Sequence, residues 1–431
     1  MSTLELAQAA KAASHTLAVI PADRRNEALE RMAQMLEENA EQILAANAAD
    51  VEVALGLLER GELSSATVNR LRLSPQKLAE MAASVRATAA LPEVTGKVLE
   101  RVELDEGLEL EKVSVPLGVL AVIFEARPDA VTQISALALK SGNTVILKPG
   151  KEVEQTATVL VGLIRQALIE KTLPEGAVSL VLGRAAVAEL LGMTELIDLV
   201  IPRGSKQLVQ YVQANTRIPV LGHAEGICHI FVDEAVDAEL ALAVIADAKT
   251  DYPSACNAVE TVLVHRAVAA EFLPKLAERM AAAKVLLLGS DEAATLAGQV
   301  GPVGDWNTEY GDLTLAVQVV ADMDEAIVHI HRYGSGHTES IMTTDASHAE
   351  RFLREVDAAG VYHNVSTRFA DGFRYGFGAE VGVSTSKIHA RGPVGLDGLT
   401  TYKYLLRGSG QLVGSYHGRD ARPFTHVKKP V

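Results

Sequence analysis

The chain has 431 residues, too many for one compact core, and 48% of them are hydrophobic, so two or three buried domains are expected. Its formal net charge of −15 argues against a nucleic-acid or anionic-membrane partner, since binding to phosphate backbones needs a basic surface. The two cysteines, Cys228 and Cys256, exclude a disulfide framework and a thiolate-rich zinc site, and they fit a reducing compartment.

The amino-terminal stretch "MSTLELAQAAKAASHTLAVIPADRR" has no basic start followed by an apolar core, and no apolar run approaches the ~20 residues of a membrane span. A cytoplasmic protein is expected. From Arg24 to Leu44 the apolar residues Leu29, Met32, Leu36, Ile43 and Leu44 recur at helical spacing, and a further helix runs through "SPQKLAEMAASVRATAAL". Residues 96–115, "GKVLERVELDEGLELEKVSV", alternate apolar and charged residues around "DEG" and predict a two-stranded antiparallel ribbon. An isolated hairpin is marginal in water, so the ribbon needs a partner sheet, and a second subunit is a candidate.

From Gly118 the pattern becomes β–α–β. "GVLAVIFE", "NTVILKP", "AVSLVLG" and "IDLVIPRG" read as buried strands, separated by "DAVTQISALALKSG", "VEQTATVLVGLIRQALIEKTLPEG" and "RAAVAELLG". A second run begins at Cys228. "CHIFVD", "AVETVLVH", "DLTLAVQVV", "ESIMTT" and "GVYHNV" read as strands, with helical stretches between them. Apolar strands alternating with helices predict parallel sheets covered on both faces. The tail after Ala390 is mixed, with "GQLVGSY" as a short strand candidate.

No G-x-G-x-x-G joins a strand to a helix, so a standard pyrophosphate turn is unsupported. Charge collects instead at strand ends: Lys148 and Lys151 in "VILKPGKE", Arg203, Gly204 and Ser205 in "LVIPRGSKQL", and Glu125, Arg127 and Asp129 in "IFEARPDA". Ligands of open α/β sheets gather there, and a Gly-Ser before a helix can receive a phosphate. Ordinary solvated loop charges would give the same pattern, and Asp129 is also well placed to cap a helix. His329, His331 and His337 form a histidine-rich stretch, but a spacing of two on a helix does not put His329 and His331 on one face. The long segment 364–393 carries Arg368, Arg374, Lys387 and Arg391, and spacing alone does not say which would hold an anionic substrate. Cys256, in "DYPSACNAVETVLVH", is either a small buried hydrophobe or a nucleophile at the mouth of a strand; Cys228, heading a strand, fits the inert role better.

The order "LKPGKE", "IPRGS", "PSACNAVETVLVH", "TEYGDLTLAVQVV", "YGSGHTESIMTTD" resembles the aldehyde dehydrogenase superfamily over nearly the whole chain. Within it, "FEARPDA", "NVSTRFADG" and "HARGPVGLDGLTTYKY" resemble the branch that reduces an acyl phosphate in proline biosynthesis. The resemblance implies two parallel-sheet α/β domains plus a small oligomerisation β-ribbon. It places a cofactor domain at 1–95 and 116–227, a catalytic domain at 228–390, and the ribbon and tail at 96–115 and 405–431. It makes Cys256 the nucleophile, puts Lys148 near the adenosine ribose and Gly204 and Ser205 near the pyrophosphate, and has Glu309 hold the nicotinamide ribose. It implies no metal.

Two departures from oxidative members bear on the chemistry. The Pro-Trp-Asn of the first strand end is replaced by "FEARPD", and the segment bearing the deacylating glutamate by "LGHAEGICH", where Glu225 lies nearby. Both suit a reductase, whose thioester has to survive until hydride arrives. Lys151 stands where NAD-preferring relatives often carry a glutamate, so NADPH is the expected cofactor.

The implied reaction is reduction of L-glutamyl 5-phosphate to L-glutamate 5-semialdehyde. Arg127 is expected to neutralise the leaving phosphate, Arg368 to hold the α-carboxylate, and Asn257 with the Cys256 backbone to donate to the oxyanion. An ordinary thiol ionises near ~8.5, so its proton loss needs help. An oxidative semialdehyde dehydrogenase and a non-catalytic NADP-binding scaffold are the alternatives. A homodimer or homotetramer is expected, as is a possible complex with glutamate 5-kinase, because the acyl phosphate is unstable.

Overall fold

The computed structural model describes the whole chain except residues 223–224 and 299 and the side chain of Ala66. The chain forms two compact units: Met1–Leu221 with Gly378–Gly382 and Val394–Val431, and Gly222–Phe377 with Val383–Pro393.

The first unit opens on the helix Thr3–Leu17, which the periodicity above did not single out. Ser2 caps it, accepting from the Glu5 N–H while the Glu5 side chain accepts from the Ser2 N–H. The single helix expected from Arg24 to Leu44 is two, Ala22–Glu38 and Ala40–Glu59. Asn39 leaves helical geometry between them, and its amide Nδ2 donates to the Met35 carbonyl at 2.8 Å, a local alternative to the helical ladder. The helix Pro75–Ala90 follows, capped by Ser74 with Pro75 in its first turn.

The unit's parallel sheet runs Val178–Leu180, Thr144–Pro149, Val119–Phe124, Leu199–Arg203. Every residue of its two central strands is buried, which accounts for their continuous apolar runs. The strand order reverses at Val119–Phe124, which pairs with Thr144–Pro149 on one side and Leu199–Arg203 on the other. A crevice at the carboxyl ends of these strands is where such sheets take ligands.

The ribbon Val98–Asp105 and Leu108–Pro116 is present, and it belongs to a four-stranded antiparallel sheet flanked by Thr400–Arg407 and Val427–Lys429. The tail strand is therefore "TTYKYLLR". "GQLVGSY" holds only a short 3-10 turn, Val413–Tyr416, with Leu412 and Val413 exposed and Gly414 between the apolar residues.

The second unit has a seven-stranded parallel sheet: Gly301–Pro302, Leu286–Gly289, Thr314–Val320, Val259–His265, Cys228–Val232, Thr338–Met342, Gly360–His363. The strands Leu286–Gly289 and Gly301–Pro302, with the helix Asp291–Ala297 between them, extend the sheet beyond the sequence reading. Its core is aliphatic: Ile230, Val262, Ile245, Leu276 and Leu315 are fully buried. Each such side chain contributes roughly 1.5–3 kcal/mol relative to exposure.

Candidate active site

In the first unit, three strand ends meet at the point where strand order reverses. Phe124 lies opposite Arg203 on one side and Pro149 on the other, so residues 125–127, 148–151 and 204–205 converge. The turn after Phe124 is tightly held. The Glu125 N–H donates to the Arg203 carbonyl at 3.1 Å, Ala126 adopts a left-handed φ of 48°, and its N–H donates to Glu152 Oε1 at 2.7 Å. Such a conformation for a residue with a Cβ persists only where surrounding contacts impose it.

Arg127 is half-buried, and its guanidinium makes no ion pair among the described residues. Arg127, not Asp129, is the cap position of Pro128–Lys140, and no side chain bonds there; Asp129 sits in the helix's first turn, because Pro128 starts the helix two residues before an Asp129 cap would.

Gly204 and Ser205 open the helix Lys206–Asn215. Ser205 is the cap, accepting from the Leu208 N–H. A Cβ on Gly204 would lie 2.4 Å from Glu125 Oε2, and that oxygen accepts from the Ser205 N–H at 2.8 Å. The glycine thus lets an anionic group come against the backbone at a helix start, and Glu125 is the anion seated there. Lys148 is buried, with its Nζ on the Pro149 carbonyl at 2.8 Å, and burial lowers its pKa against the opposing pull of Glu154, Glu152 and Glu125. Lys151 is exposed. Two lysines and a glycine that admits close approach fit the phosphates of a dinucleotide, which would displace the Glu125 carboxylate from the helix start.

The second unit carries the thiol. Cys256 sits half-exposed in the turn between the helix Ala238–Thr250 and the strand Val259–His265, at that strand's amino end. Its N–H has no hydrogen-bond partner among the described residues. Gly226 presses on this turn: a Cβ there would lie 2.0 Å from the Cys256 carbonyl oxygen. Cys228 is fully buried, its S–H reaching the same carbonyl at 3.4 Å, and burial pushes its pKa well up. The two thiols have opposite surroundings, and only Cys256 has access to a ligand.

Asn257 is buried. Its Nδ2 donates to the Ala370 carbonyl at 2.9 Å, and its Oδ1 accepts from Arg368. The side chain therefore ties the thiol turn to the 366–374 segment. Arg368 also donates to Asp251 at 3.0 Å, and Arg374 reaches the same carboxylate at 3.2 Å, which holds Asp251 below the usual carboxylate range. Arg368 thus lies beside the Cys256 turn with an internal counterion.

Glu309 is half-buried in the turn preceding the strand Thr314–Val320, and Glu225 is half-buried next to Gly226. The three histidines separate. His329 packs among His229, Trp306 and Tyr333, His331 accepts from the Asp357 N–H, and His337 lies against Thr338 and Cys228. Among the described residues no group of three or more His, Cys, Asp or Glu side chains could hold a metal.

Sequence reasoning missed the pressure of Gly226 on the thiol turn, the Asp251 counterion and a buried Lys249–Glu260 pair. Only the last had a local signal: a glutamate inside the apolar run "AVETVLVH" has to find a partner.

The fold and the thiol turn define an aldehyde dehydrogenase-like protein, and the model of the Aldehyde dehydrogenase family matches residues 3–305. That family uses NAD(P). A gamma-glutamyl phosphate reductase from a Synechococcus species is 52% identical over 99% of this chain and 94% of its own length; one from Haloquadratum walsbyi is 50% identical over 97% and 93%. The crystal structure of gamma-glutamyl phosphate reductase from Thermotoga maritima is 40% identical with a TM-score of 0.92, covering 97% of this chain and all of that one. The chain belongs to the gamma-glutamyl phosphate reductase branch of the aldehyde dehydrogenase family. No helix among the described residues is long and apolar enough to cross a membrane.

Proposed function

We propose that this protein carries out the NADPH-dependent reduction of L-glutamyl 5-phosphate to L-glutamate 5-semialdehyde with release of phosphate, the second step of proline biosynthesis. The observation that carries the reading is the half-exposed Cys256 in a turn held by Gly226, Cys228 and Asn257, in a chain about 50% identical to gamma-glutamyl phosphate reductases.

The Cys256 sulfur attacks the acyl carbon, a C–S bond forms, and the C–O bond to phosphate breaks. The Cys256 N–H donates to the oxygen that gains charge. Arg127 offsets the charge of the departing phosphate, and Arg368 binds the α-carboxylate in competition with Asp251. Lys148, Lys151, Gly204, Ser205 and Glu309 would hold the cofactor, which when bound would supply a hydride to the thioester carbon. Once the thioester carbon is reduced, the Cys256 sulfur would be the leaving group: its C–S bond breaks as the aldehyde C=O forms, and the sulfur returns to its starting state.

The protein works in the cytoplasm as a homodimer or homotetramer and receives its unstable substrate from glutamate 5-kinase. The test is the reverse reaction. Glutamate semialdehyde and NADP should give NADPH only when phosphate or arsenate is present. Cofactor reduction that proceeds equally in their absence, with free glutamate as product, would instead identify an oxidative dehydrogenase that hydrolyses its thioester.

A further inference from the structure

The turn of Cys256 and the turn of Glu309 enter two neighbouring strands at the same edge of one sheet, since Val259–His265 pairs in parallel with Thr314–Val320. One buried carboxylate links the helix that leads into the first turn to the backbone of the second. Lys249, in the last turn of its helix, and Glu260, second in its strand, flank the Cys256 segment and meet across its base, Nζ to Oε2 at 2.7 Å. Their side chains are 0% and 1% exposed. The other oxygen of Glu260, Oε1, accepts from the Gly311 N–H at 3.2 Å. Gly311 holds a left-handed φ of 64°, two residues after Glu309, and the Glu309 charge reaches Glu260.

A buried ion pair is a poor device for stability alone, because desolvation consumes most of its attraction and an apolar pair of similar volume often does as well. What an apolar pair cannot do is accept a hydrogen bond from Gly311. We propose that Lys249 and Glu260 are positioning residues, a strut that fixes the Glu309 turn relative to the Cys256 turn and so sets how the nicotinamide ribose is held. This rests on the reading of Glu309 as the ribose ligand. Lys249 closes the base of the nucleophile turn and aims the glutamate, and Glu260 Oε1 pins the turn that carries Glu309.

The test compares two double variants in steady-state assays of the full chain with NADPH and glutamyl phosphate. Lys249→Met/Glu260→Leu removes both charges and the acceptor, whereas Lys249→Met/Glu260→Gln removes the charges and keeps an acceptor for Gly311. The leucine form should raise the KM for NADPH roughly tenfold, and the glutamine form less than about threefold. Equal values for the two would overturn the proposal.

Should the leucine form not fold, Glu260→Asp serves, since it keeps the charge but withdraws the oxygen from Gly311. It should raise the NADPH KM several-fold in the native background and not further in a Glu309→Ala background. The same increase in both would overturn the role. If the unaltered protein neither binds NADPH nor reduces glutamyl phosphate, the functional reading fails first. If it does both and the variants leave the NADPH KM unmoved, the strut alone fails.

Discussion

The two units carry their candidate site residues at opposite ends of their strands. In the first, Arg127, Lys148, Lys151, Gly204 and Ser205 lie at or just beyond the carboxyl ends of parallel strands, at the point where strand order reverses. In the second, Cys256 and Glu309 precede strands and lie at amino ends. The rule that ligands gather at carboxyl ends finds the first group and would overlook the second. The means of support differ as well. The first group rests on local turns: a glycine, a capping serine and short backbone contacts. The thiol turn is held from a distance by Gly226, Cys228, the Ala370 carbonyl and the base pair Lys249–Glu260. Substitutions in the second unit should therefore act on turnover, on binding of substrate and nicotinamide ribose, or on stability, whereas the exposed lysine at the strand end of the first should act on cofactor preference.

The largest effect is expected at the proposed nucleophile. Cys256→Ala should lower kcat/KM for NADPH-dependent reduction by on the order of 10⁴-fold or more, measured by loss of NADPH absorbance. The contrast between the thiols is checked on the same protein: iodoacetamide should label one cysteine in the native state, and none in Cys256→Ala until it is unfolded. Labelling of Cys228 in the native protein would break the contrast between a buried and an accessible thiol.

Next is acid stability. Burial, with smaller contributions from His229 and Arg332, pushes His329 down to about 3. An unfolded histidine ionises near ~6.5, so the folded state binds fewer protons than the unfolded state between these values. The stability is fully present above pH about 6.5 and is lost as pH falls toward about 3, by on the order of a few kcal/mol. Urea midpoints measured from pH 7 to pH 4 should fall steeply for the native protein and less steeply for His329→Phe. Parallel curves would show that another group governs the acid limb.

Third is Arg368. Arg368→Ala should raise the KM for glutamyl phosphate by roughly 10- to 100-fold, the scale of a charge-assisted bond to a carboxylate, with a smaller loss in kcat. A loss confined to kcat would move Arg368 from holding substrate into the chemistry.

How far the sequence could be read follows from the same division. The strand ends were legible because their logic is local: "LKPGKE" and "IPRGS" carry glycine, cation and cap within a few residues, and the central strands are unbroken apolar runs. Cys256 was ambiguous on its own and became readable only through the series of motifs around it. Its supports were not readable, since Gly226, Cys228 and Ala370 approach it only after distant strands have paired. The helix expected from Arg24 to Leu44 became two because the side chain of Asn39 offered the backbone another partner, a competition invisible to periodicity. The apolar residues of "GQLVGSY" predict a strand, but both edges of the ribbon are filled, by Thr400–Arg407 and Val427–Lys429.

The smallest effect tests the first unit. Lys151 is exposed and opens the turn after the strand Thr144–Pro149, so its influence on a bound phosphate is screened by solvent. Replacing attraction with repulsion at this one position, Lys151→Glu should shift the NADPH-to-NADH ratio of kcat/KM by on the order of tenfold, with kcat at saturating cofactor nearly unchanged. The shift should shrink as salt rises, because only the exposed charge has changed. A ratio that does not move would assign selection of the 2′-phosphate to another residue. A fall in kcat at saturation would move Lys151 from cofactor choice into the chemistry, beside Arg127.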